Sequence, residues 1–72
     1  MKILYETPDG NLIATECSTI EAAWDRCMNW WLVRIRMIPD GGMTSIADNL
    51  TEKEAKVIVR KLFDYGVYTH CP

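Results

Sequence analysis

Histidine occurs once in this sequence, at position 70, two residues before the C-terminal Pro72. A chain end is a poor place for a fixed general base. There is no glycine-rich phosphate loop, no nucleophile elbow and no HExxH pair. Catalysis is therefore not expected, and no cofactor is implied.

Cysteine is sparse and odd in number: Cys17, Cys27 and Cys71, with no C-x₂-C pair among them. A secreted disulfide framework would show an even set. A zinc site would have to recruit Cys17 or Cys27 alongside His70 and Cys71, a weak match to zinc-ligand spacing, so no metal is expected. The three read as reduced thiols, two buried and one in the tail, in a cytosol-like compartment. No apolar run approaches the ~18–20 residues needed to span a bilayer. The longest candidate, WWLVRIRMI, carries Arg34 and Arg36. The opening MKILYETPDG lacks the apolar length and small-residue cleavage site of a signal peptide. The expected location is the cytoplasm, or the host cytoplasm for a phage-encoded chain.

A surplus of positive charge is also missing. Over 72 residues the net charge is −2. Residues 1–31 carry two basic and five acidic groups, residues 32–42 have a net of +1, and the remainder is neutral. Binding to a polyanion is driven largely by phosphate neutralisation, which this balance does not favour. Acidity concentrated in the first half suits docking on a basic protein surface.

What the chain does have is ordinary globular content, 49% hydrophobic and 25% charged, enough for one domain near the lower size limit of a self-sufficient core. It also spells almost the same turn twice, TPDGN at Thr7–Asn11 and IPDGG at Ile38–Gly42, with the prolines 31 positions apart. Proline presets φ for a tight turn, and Asp-Gly tolerates the left-handed positions that follow. Strand-like sequence flanks both copies, so each reads as a β-hairpin.

A capping-box match follows each hairpin, Ser18-Thr-Ile-Glu21 and Thr51-Glu-Lys-Glu54. Behind the first, Ile20, Ala23, Trp24 and Cys27 recur at helical spacing; behind the second, Ala55, Ile58, Val59, Leu62 and Phe63 do so. Gly66 supplies a stop for the second helix and Asn29 an αL terminator for the first. These signals predict helices over 19–29 and 52–65 and strands near 2–7, 11–16, 30–38 and 43–47. The expected fold is α+β with the order ββαββα, in which a four-stranded antiparallel sheet carries two helices packed on one face. It is one domain over 1–72, a pseudo-repeat of two ββα units at about 1–31 and 32–72.

On the third strand Trp31, Val33, Ile35 and Met37 point one way, and Trp30, Leu32, Arg34 and Arg36 the other. The first set belongs in the core with Ile20, Trp24, Cys27, Ile58, Leu62 and Phe63. The second set, joined by Lys2, Leu4 and Glu6, lies on the face without helices and is the expected partner-binding site. A plainer reading of that set is a homodimer face, or arginine stems covering apolar surface. Asp9, Glu21 and Asp25 form a secondary acidic surface. Lys53, Lys56, Arg60 and Lys61 make a basic flank on the last helix, which reads as a solvated helix face or as a nucleic-acid contact.

The function expected from these features is a small non-catalytic protein-binding module. An inhibitor that occupies a basic surface of another protein, such as a defence nuclease, is the specific form; small phage and bacterial proteins of this size and charge are the analogy. A single-stranded nucleic-acid binder using the open sheet face and a homodimeric structural domain are the alternatives.

Overall fold

The elements run β1 (Lys2–Glu6), β2 (Leu12–Asp25), β3 (Trp30–Met37), β4 (Met43–Leu50), α1 (Glu52–Tyr65) and β5 (Val67–Tyr68) in a computed structural model that describes residues 1–69. His70 and Cys71, weighed above as base and metal ligands, lie outside the described residues. The strands form one sheet in the order β4-β3-β2-β1-β5. Neighbours pair antiparallel except β1 and β5, which are parallel. The fold is α+β, but the sheet is five-stranded and mixed, and a single helix covers it.

That overturns the expectation of four antiparallel strands under two helices. The missing helix is the one predicted over 19–29. Its residues instead extend β2 to Asp25, paired with β3 from Cys17↔Met37 to Asp25↔Trp30. The capping-box match at Ser18–Glu21 was a local signal only. Pairing with β3 satisfies the backbone groups along one edge of this segment and buries Ile20 against the same core as Ile35, which outweighs a weak helical propensity. The segment ends in a tight connection. The Asp25 carboxylate accepts from the N–H groups of Cys27 (3.0 Å) and Met28 (3.2 Å), and Asn29, expected to end a helix, has φ 60° and leads the chain into β3. With no first helix, the pseudo-repeat of two ββα units does not carry into the structure.

β2 is also too long to run straight through the molecule. The thirteen steps between its fourteen residues, at ~3.3 Å each, would run roughly 43 Å, beyond the longest principal-axis extent of 29 Å, so the strand bends. The register shifts between Cys17 and Thr19. Before this bulge Thr15 pairs with buried Ile3, and after it Ile20 and Ala22 pair with buried Ile35 and Val33. The bulge slips the alternation by one residue and keeps the apolar side inward on both sides of the bend.

Both repeated turns make hairpins, closed differently. In the first, the Gly10 N–H donates to the Thr7 carbonyl (2.9 Å) and Gly10 has φ 88°. In the second, the Ile38–Pro39 bond is cis, and Gly41 at φ 76° donates its N–H to the Met37 carbonyl (2.8 Å).

α1 forms where its capping box predicts. The Glu54 N–H donates to the Thr51 hydroxyl (3.2 Å), and the Thr51 N–H donates to the Glu54 carboxylate (2.9 Å). Ala55, Ile58 and Leu62 face the sheet and are buried. Gly66 ends the helix at φ 72°, and its carbonyl accepts from Leu4 N–H (2.8 Å), which sets β5 beside β1. At two residues, β5 is too short to leave a periodic signal in the sequence. Thr51→Ala should cost about 1 kcal/mol of stability, read in a denaturant melt, because it removes one acceptor of the helix's free N–H groups.

The core lies between α1 and one side of the sheet, around Ile3, Cys17, Val33, Ile35 and Leu62. Three residues expected there are not in it. Trp24 is 47% exposed near the end of β2, Cys27 is exposed in the β2–β3 connection, and Phe63 is 54% exposed on the flank of α1. All three follow from the lost helix, since one helix covers less sheet than two and has no neighbour for Phe63 to pack against.

Cys17 is the buried thiol. Burial pushes its pKa up, the Met1 ammonium opposes that, and Glu16 adds to it. Native chain should therefore react at Cys27 with a thiol reagent at pH 8 while Cys17 stays protected, as mass mapping would show. Because the folded pKa is raised, the contribution of Cys17 to stability is complete below the thiol's ordinary range and is lost as pH rises through the raised value.

Candidate functional site

The side of the sheet away from α1 is built by strand alternation. On β3, Val33 and Ile35 are buried in the core cluster and Trp31 and Met37 pack against it, so Trp30, Leu32, Arg34 and Arg36 face the other way. Pairing brings Ala23 opposite Leu32, Glu21 opposite Arg34, and Asp25 opposite Trp30. From the other neighbour come Ser45 opposite Arg34 and Met43 opposite Arg36. On β1 the residues alternating with buried Ile3 and Tyr5 are Lys2, Leu4 and Glu6, which places them on the same open side.

Trp30 and Leu32 are half-buried on this side, and Leu12 and Met43 are exposed. The arginines are engaged within the chain. Arg34 Nε donates to Glu21 Oε1, and Arg36 Nη1 donates to the Gly41 carbonyl at 2.8 Å. The Arg34–Glu21 pair is nearly half-exposed on both sides, so it contributes ~1 kcal/mol at most. It does neutralise the middle of the face. The result is a short apolar patch of Ala23, Trp30 and Leu32, with Asp25 at one end and the Arg34–Glu21 pair at the other.

The secondary acidic set is not brought together. Asp9 lies in the β1–β2 turn and Asp25 at the far end of β2, where its carboxylate holds the next turn. Glu21 belongs to the open face through Arg34. The basic set on α1 does cluster on its outer side, around Val57 and Phe63. Two of the four are paired, Lys56 with Glu52 (3.4 Å) and Arg60 with Asp64 (3.2 Å). Lys53 and Lys61 make no ion pair among the described residues.

Sequence reading missed Ala23 and Met43 as part of the open face. Ala23 was assigned to a helix, and Met43 turns outward only once β4 is registered against Arg36. Among the described residues no three His, Cys, Asp or Glu side chains gather as a metal site would need, and no helix is long and apolar enough to cross a membrane.

Compared with known protein families, curated proteins and solved structures, the chain matches none.

Proposed function

We propose that the protein is a non-catalytic protein-binding module whose open sheet face, centred on Trp30 and Leu32, docks on another protein. The observation that carries this reading is the uncovered side of the sheet. A single helix satisfies one face, and the other keeps a tryptophan and a leucine on adjacent outward positions of β3, with Ala23 opposite. Exposed apolar surface of this kind gains by burial against a partner. The Arg34–Glu21 pair favours a protein partner over a polyphosphate, because Glu21 offsets the charge that Arg34 would bring to a phosphate.

The finer form of the proposal is an inhibitor that acts in the cytoplasm by occupying a basic surface of an enzyme such as a defence nuclease. It rests on the net charge of −2 and on the excess of acid in residues 1–31. The test is comparative. A partner captured by the wild type should be lost with Leu32→Ala and kept when Lys53 and Lys61 are both changed to glutamine, with affinity falling only moderately as salt rises. The nucleic-acid alternative requires the reverse: tight binding of an oligothymidine that weakens steeply with salt and depends on Lys53, Lys56, Arg60 and Lys61. Retention of the partner by a folded Leu32→Ala variant overturns the assignment of the face.

A further inference from the structure

β2 pairs with its two neighbours over successive stretches rather than over its whole length. β1 covers Leu12–Glu16, and Met1 closes that ladder on Cys17, with the Met1 ammonium donating to the Cys17 carbonyl (2.7 Å) and the Cys17 N–H donating to the Met1 carbonyl (2.8 Å). β3 covers Cys17–Asp25 on the opposite edge. From Thr19 to Asp25, therefore, no strand among the described residues pairs with β2 on the β1 side. Every second residue of that stretch directs its N–H and C=O outward along the edge. The seven residues are in unbroken register with β3, from Thr19↔Arg36 to Asp25↔Trp30, so the edge is regular. The other edges are blunted. β4 has two register shifts and Asn49 at φ 55°, and β5 is two residues long.

We propose that this edge pairs with the same edge of a second copy of the chain, antiparallel about a two-fold axis at Ala22, to make one continuous ten-stranded sheet. The sequence of the edge accepts a second copy of itself and selects the register. A two-fold perpendicular to the sheet pairs residues equally spaced on either side of its centre. Centred on Glu21 it sets two carboxylates face to face, and centred on Ala23 it sets Glu21 opposite Asp25; like charges directly opposite are destabilising. Centred on Ile20 it drives Ala23 of one copy against Cys17 of the other, whose edge Met1 already occupies. Centred on Ala22, each carboxylate meets an uncharged side chain, Glu21 with Ala23 and Asp25 with Thr19. On the helix side Ile20 meets Trp24, which covers an indole that one copy leaves 47% exposed. The axis keeps both helices on one side of the joint sheet and both Trp30 faces on the other, so the pairing is independent of the open-face reading.

The test is the dimer dissociation constant from sedimentation equilibrium of the full chain and two variants at a neutral position. Ala23→Glu places a carboxylate opposite Glu21 twice across the axis and should weaken the dimer at least tenfold. Ala23→Lys places an opposite charge there and should leave it equal or tighter. Amide exchange on the wild type supplies a second reading that needs no variant. The outward N–H groups between Thr19 and Asp25 should exchange more slowly as protein concentration rises, while those of β4 do not change. A wild type that is monomeric up to ~1 mM overturns the proposal, and so does a dimer that responds equally to both substitutions, or concentration-dependent protection on β4 instead of β2. Loss of partner binding by Leu32→Ala with an intact dimer would leave this inference standing. A dimer abolished by Leu32→Ala, with Ala23→Glu silent, would place self-association on the open face and overturn it.

Discussion

Ile35→Ala should lower the stability of the domain by about 2–5 kcal/mol, measured as the shift in a denaturant melt at micromolar concentration. Ile35 is fully buried in the middle of β3, paired with Ile20 of β2 on one side and Thr44 of β4 on the other. Truncation removes its transfer free energy and leaves a void that strands held on both edges cannot collapse to fill. For a chain this short the loss is a large part of a total of roughly 5–15 kcal/mol. The informative comparison is Trp24→Ala. A tryptophan buried between a helix and the sheet would cost as much as Ile35. Trp24 instead rests half in water beside Trp31, with ring centroids 6.2 Å apart and planes tilted by 59°. The expected cost is about 1 kcal/mol, the value of a surface aromatic pair. Equal losses for the two variants would contradict the strand assignment of residues 19–25.

Trp30→Ala should weaken binding of the partner by about 2 kcal/mol or more, roughly thirtyfold, with little change in stability. Trp30 begins β3 on the side away from α1, opposite Asp25, and is half-buried with no helix over it. An aromatic ring already held by its own strand loses little freedom on docking, so most of its newly buried area counts toward affinity. Arg34→Ala should cost less. Its guanidinium must first leave Glu21, or carry Glu21 into the interface with it, and that exchange offsets much of what a new contact provides. Titration calorimetry with the captured partner measures both. An Arg34 effect larger than that of Trp30 would point to a charge-driven interface instead of an apolar one.

The features legible in the sequence were those enforced by neighbouring residues. Thr51 and Glu54 complete a capping box on their own, Gly66 supplies the left-handed stop, and α1 lies between them as expected. The Asp-Gly turns likewise make hairpins wherever they occur between strands. Alternation along β3 determined which of its side chains share a side, because a strand has no other way to arrange them.

What needed the tertiary structure was the fate of residues 18–29. Ser18 and Glu21 have the same local chemistry as Thr51 and Glu54, and Ile20, Ala23, Trp24 and Cys27 have acceptable helical spacing. In α1 the buried positions have a sheet to cover. The earlier segment lies next to β3, whose backbone on that side would otherwise be unpaired, and the ladder from Cys17 to Asp25 satisfies the facing edges of both strands at once. The helical pattern and capping box of this segment do not contain that competition, since its partners on β3 lie 5 to 20 positions away. The bulge at Cys17–Thr19 then let one strand serve two neighbours in turn. By itself the sequence determined the turns, the cap and the sides of β3. Only the long-range pairing decided that one helix, and not two, would cover the sheet.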